Sequence, residues 1–238
     1  MFARTFLVSL PLMGLLAVAL LYEPVPLPVL PRPETPWQRQ VEAVADGRAY
    51  EIHVNRARIG DAHLHQLPML ERLVAMELGA SELTAAGVRK LQTLPNLRRV
   101  ALRGQVVDDA MLLELCRIPT LRELVLPHTT ITDDGLRALQ EQPQLTQLVL
   151  GSSRISTAGM QHVAGLKKLR WLHLIDIPLT DAGLDPLAEL PQLESLYIDG
   201  AQLTDAGIER LLQQRPDIHP HFDQQHHDRD PLRATHEH

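Results

Sequence analysis

Rings are scarce in this chain of 238 residues. Aromatic side chains make up 3% of it, against 45% for all apolar residues together. A core of that composition is assembled from Leu, Ile, Val and Ala. Cysteine is rarer still: Cys116 stands alone, so no intramolecular disulfide forms. A cytosolic protein and an exported one that is stable without bridges both fit that count. There is no basic surplus either. The formal net charge is −6, which argues against nucleic acid as a partner. Glycines occur singly, so no phosphate-cradling loop is present. No segment gathers an acid, a base and a nucleophile, and the chain reads as non-enzymatic, with no cofactor.

What is present begins with "MFARTFLVSLPLMGLLAVALLYEP". After Arg4 the 17 residues from Phe6 to Tyr22 carry no charge. At 1.5 Å per residue they span about 25 Å of helix, near the length a bilayer core requires. Residues 1–23 are therefore expected to be a membrane anchor, with Arg4 holding the start in the cytoplasm. A secretory signal cleaved near Ala19 is the alternative. Either way the rest of the chain is exported, to the periplasm or outside. Residues 24–36 follow with six prolines, a density that forbids helix and favours an extended polyproline II spacer. Helix signals come next. Thr35 suits an N-cap, Pro36 the first helical position, and Gly47 the end. Trp37, Val41 and Val44 share one face of this helix, expected to cap the domain behind it.

From there the chain repeats itself. "LTDAGL" at residue 179 returns as "LTDAGI" at residue 203, and earlier units read "ITDDGL", "ISTAGM", "LTAAGV" and "IGDAHL". Stepping back by 24 residues from Leu203 always finds an aliphatic residue: Leu179, Ile155, Ile131, Val107, Leu83, Ile59. Two further columns keep the same step, from Ile52 to Leu196 and from Val54 to Ile198. Their alternation predicts a short strand with one buried face, while the spacing of Leu184, Leu187 and Leu190 predicts a helical face. Thr180 is placed to cap that helix and Asp181 to meet its positive end. Gly87, Gly135, Gly159, Gly183 and Gly207 recur where neighbouring units approach closely; His63 and Met111 interrupt the series. Pro95, Pro119, Pro143 and Pro191 end the helices. One such unit buries too little to stand alone, so each copy serves as the wall for the next.

The phrase "LPQLESLYIDGAQLTDAGI" resembles the leucine-rich repeat, in the bacterial variety whose units carry T-D-x-G-L after the strand. The resemblance covers roughly residues 50–222. It implies an α/β solenoid with a parallel sheet on the concave face and helices on the convex face, forming a repeat domain over residues 37–222. Where that family often has Asn or Cys, this chain has Ser81, Gln105, Thr129, Ser153, Ile177 and Ala201. Hydroxyls can stand in for that side-chain ladder; Ile177 and Ala201 cannot. The sequence "RPDIHPHF" reads as a degraded last strand, one residue out of phase, with Pro220 blunting its edge. Residues 223–238 form a His-rich tail with almost no apolar content, expected to be disordered.

Residues alternating with the buried columns face outward. Val125, Val149, Trp171, Ile175 and Tyr197 are expected to form a contiguous apolar patch with His173 inside it. Exposed Trp and Tyr beside such a patch are typical anchors for a protein partner. Arg99 and Arg103 supply a basic flank, with Glu77 and Glu123 close enough to pair with them. Metal ligation has weaker support: His63 with His65, and His173 with Asp176, are isolated pairs without ligand spacing. Cys116 reads as a small buried residue. The expected function is a monomeric, membrane-tethered binding module that recognises a protein with its concave sheet. Two alternatives are metal binding through the tail histidines and a cytosolic adaptor or substrate receptor.

Overall fold

The computed structural model describes residues 35–223, 225 and 226. The anchor or signal at 1–23, the spacer up to residue 34 and the tail from residue 227 lie outside the described residues.

Nine strands make one sheet among the described residues: β1 (Glu51–Val54), β2 (Ala75–Leu78), β3 (Arg99–Leu102), β4 (Glu123–Leu126), β5 (Gln147–Gly151), β6 (Trp171–Ile175), β7 (Ser195–Asp199), β8 (His219–Phe222) and β9 (Gln225–His226). From β1 to β8 each strand pairs in parallel with the next in chain order. The pairing keeps one register: Ile52 lies beside Met76, Leu124 beside Leu148, Leu148 beside Leu172 and Leu172 beside Leu196. The two aliphatic columns read from the sequence are therefore physical rows. They are fully buried, with Met76, Leu102, Leu124, Leu148 and Leu174 all at 0% exposure. A stack of identical turns places like beside like, and one continuous apolar core runs from Trp37 to Ile218.

The cap helix α1 (Pro36–Ala45) begins as its sequence signals predict. The Thr35 side chain accepts from the Gln38 N–H while the Gln38 side chain returns to the Thr35 backbone, a reciprocal capping box. Trp37 and Val44 are buried, and Gln40 exchanges two hydrogen bonds with the backbone of His53 on the edge strand. The outer edge of the sheet is thereby covered.

The convex segments are shorter than amphipathic spacing alone implies. Helices α2 (Asp61–His65), α3 (Ala85–Arg89), α4 (Asp109–Cys116), α5 (Met160–Val163), α6 (Leu184–Ala188) and α7 (Asp205–Gln214) alternate with 3₁₀ turns, the longest at Gly135–Glu141. A 3₁₀ segment rises about 2.0 Å per residue against 1.5 Å for an α-helix. It therefore covers the return path in a 24-residue unit with fewer residues.

At the far end the expectation needs correcting. β8 is in phase: Pro220 lies beside Leu196 and Phe222 beside Ile198. Ile218 is buried just before it. Pro220 is not at the outermost edge, because β9 pairs antiparallel with β8, so strand pairing reaches residue 226, beyond the boundary expected at 222. Arg215 closes the last turn, donating to the carbonyls of Ala188, Leu190 and Leu193.

Candidate functional site

The convex side explains the repeated phrase. Asp61 accepts from the Thr84 N–H at 2.9 Å and from its hydroxyl at 2.6 Å. The same bidentate arrangement joins Asp109 to Thr132, Asp133 to Ser156 and Asp181 to Thr204. Each aspartate thus staples its own unit to the next one's helix start, a larger role than the dipole contact expected of Asp181. Thr180 follows a variant: it makes no cap bond of its own and instead meets the Thr157 hydroxyl at 3.2 Å. The recurring glycine makes room for the staple, since a Cβ on Gly135 would stand 2.0 Å from Asp109 Oδ1. The Thr204 hydroxyl and then its N–H hold the Asp181 carboxyl below its ordinary pKa. Burial works to raise that of Asp61, and the two Thr84 bonds outweigh it. On the same side Glu114, almost fully buried, accepts from Arg89, Gln92 and Arg117.

The expected side-chain ladder exists with one shift. Ser81 donates to Gln105 Oε1 at 2.5 Å, and Thr129 donates to the Gly151 carbonyl. In the next unit Ser152, not Ser153, is the buried member, donating to the Ile131 carbonyl at 2.7 Å. Ile177 is buried in the apolar core instead. Cys116 is wholly buried, and burial, followed by the Glu141 charge, pushes its thiol up to about 12. That is an inert thiol.

The solvent-facing side of the sheet changes character along the stack. Over β1–β4 it is ionic. Arg103 Nε meets Glu77 Oε1 at 2.8 Å and Arg99 Nη1 meets Glu123 Oε2 at 2.6 Å, so both guanidinium groups are already paired within the sheet. In the middle, Ala101, Val125 and Val149 form a small apolar cluster against which Trp171 and Ile175 pack. Here the expected patch contracts. Val125 is 1% and Val149 6% exposed, because short side chains on closely spaced strands are covered by longer neighbours. They are the floor of the face, not its contact surface.

Beyond them the rings gather. Trp171, His173 and Tyr197 are half-buried and mutually packed, with centroids 5.2–5.7 Å apart. His221 stacks on Tyr197 at 4.2 Å with planes 6° apart, and His219 sits edge-on to His221. His173 Nε2 lies 2.9 Å from Asp199 Oδ2. A hollow of about 390 Å³ opens next to Trp171, lined by Glu123, Gln147, Arg170, Glu194 and Ser195. His221 belongs to this face and was not anticipated there. The signal was available: one 24-residue step from Tyr197 lands on it, and only the misread phase of the last strand hid it. The other histidine pair has local duties, His63 meeting the Gly60 N–H and the edge of Trp37, and His65 the Asp61 carbonyl. Among the described residues no helix is long and apolar enough to cross a membrane.

A family model for the leucine-rich repeat matches residues 117–139. No curated protein matches the chain in sequence. Among solved structures it is similar to internalin C2 from Listeria monocytogenes, with a TM-score of 0.56 and 22% identity over 77% of this chain and 76% of that one. It is also similar to the internalin inlF of the same organism, with a TM-score of 0.50 and 23% identity over 71% of this chain and 47% of that one. At such identities the likeness concerns the fold. Repeat phrase, register and fold agree: the chain is a leucine-rich-repeat solenoid.

Proposed function

We propose that this protein is a non-catalytic, monomeric module that binds a protein partner with the ring-bearing end of its sheet, while residues 6–22 tether it to the cytoplasmic membrane. The repeat domain then stands in the periplasm or outside, held off the bilayer by the proline spacer. The observation that carries the binding reading is the packed group of Trp171, His173, Tyr197 and His221 on one face. Eight aromatic residues serve the whole chain, and two of them stand together, half-exposed, on a rigid sheet. Large rings that are already ordered lose little entropy on docking and dominate interface energetics. The paired Arg99 and Arg103 flank this group and set orientation more than affinity, because a partner's carboxylate must displace Glu123 or Glu77. The tether rests on the uncharged run from Phe6 to Tyr22 behind Arg4.

The test is quantitative crosslinking in intact cells followed by fractionation. The full chain is expected in the membrane fraction with a defined crosslinked protein, whose yield falls at least about tenfold in a W171A/Y197A double variant. Undiminished crosslinking removes the ring cluster as the binding surface, and recovery of the full chain in the soluble cytoplasmic fraction removes the tether.

A further inference from the structure

The geometry points to a transition-metal site at the C-terminal end of the sheet, built on His219 and His221. It stands independently of the partner-binding reading.

The two imidazoles are an i, i+2 pair on one strand, so both leave β8 on the same face. Their Nε2 atoms face each other at 2.7 Å. Two ring nitrogens can approach that closely only with one proton between them, one ring donating and the other accepting. A divalent ion can replace that proton as the group both nitrogens share, sitting to one side of the line that joins them. With ligand distances of about 2.0–2.1 Å, two imidazole nitrogens on one ion lie roughly 2.9 Å apart at a right angle and about 3.3 Å apart in a tetrahedron. The pair must therefore open by a few tenths of an ångström, and the rings must turn so that both Nε2 atoms aim at the ion. When the ion binds, the donor ring shifts to its Nδ1–H tautomer, both Nε2 lone pairs point at the metal, and no charge is lost from the protein.

The pair is held ready. Pro220 between the two histidines fixes its own backbone and keeps His219 extended. The Tyr197 ring, stacked on His221, sets the plane of that imidazole. In the strand register His226 of β9 lies opposite His221. Among the described residues no group of three or more His, Cys, Asp or Glu side chains could hold a metal ion, so the proposed site is a two-imidazole clamp. Imidazole ligands select Zn²⁺, Cu²⁺ or Ni²⁺ over Mg²⁺ and Ca²⁺.

The test must separate this clamp from the remaining tail histidines. It uses the full chain carrying H227N, H236N and H238N together, which leaves His219, His221 and His226 in place. Calorimetric titration with ZnCl₂ is expected to show one ion per chain, and adding H221Q is expected to weaken it at least about tenfold. Electron paramagnetic resonance of the same triple variant with CuCl₂ is expected to show at least two equatorial nitrogens, a readout that leaves the clamp unaltered. Zinc binding that disappears in the triple variant, or that survives H221Q unchanged, overturns the proposal. So does a copper spectrum with fewer than two nitrogens.

Discussion

At the scale of single residues the recurring glycine has a testable cause. Its usual explanation in a helix start is tolerance, and replacing it with alanine ordinarily raises helix propensity by about 1 kcal/mol. Here the Cβ would collide with the Oδ1 of Asp109, which Thr132 holds in place with two hydrogen bonds. Gly135→Ala is therefore expected to destabilise the protein by about 1–3 kcal/mol, read as a lower denaturation midpoint in urea. In a D109A background the same substitution is expected to cost much less, because the obstacle is gone. A gain in stability from Gly135→Ala alone, or additive effects in the pair, would falsify the steric account. The chain contains its own precedent. Asp61, Asp109, Asp133 and Asp181 each face the glycine 26 residues on, but that place in the series is Ala85 before residue 111, and residue 111 is methionine. Met111 is buried in the core, so the interruption of the glycine series is matched by the missing carboxylate.

At the scale of the element, the same staple makes helix starts sensitive to acid. The Asp181 pKa is depressed by the hydrogen bonds from Thr204, so the folded state favours the ionised form more than the unfolded chain does. That contribution is present above the unfolded carboxyl pKa, near 3.9, and is lost as pH falls through the lower folded value. Asp181→Asn keeps the shape and removes the charge. Its melting temperature is expected to lie below that of the unaltered protein at pH 7, with the gap closing as pH drops below about 4. A gap independent of pH rules the charge out as the source. Elements also show what was legible beforehand. Strand positions and the outward-facing column followed from a strict period, because every unit repeats one environment, and α1 followed from its own capping residues. The 3₁₀ geometry, the Ser152 shift and the burial of Val125 and Val149 did not, since each depends on distances between neighbouring units. The ring cluster was half legible: Trp171 and Tyr197 stood out as rare residues on the outward face with His173 among them, while His221 lay behind a proline that disguised its strand.

At the scale of the whole molecule, stability is a sum over interfaces between units of equal length, so the period itself is the quantity to perturb. Removing residues 128–151 takes out 24 positions and joins Pro127 to Ser152. Every row then stays aligned. Leu124 comes beside Leu172, Asp109 meets Ser156 in place of Thr132, and Gly159 takes the place of Gly135 against that aspartate, as the constant register across these units requires. Removing only residues 128–139 deletes half as much chain but sets β4 and α4 half a unit out of step with everything that follows. Buried leucines would then face backbone, and Asp109 would find no hydroxyl partner in place of Thr132. The larger deletion is expected to retain a cooperative thermal transition and the mixed α/β circular dichroism of the full protein, at a lower melting temperature. The smaller one is expected to lose cooperativity altogether. If the two behave alike, stability does not reside in the matching of successive units, and the register argument for this fold fails with it.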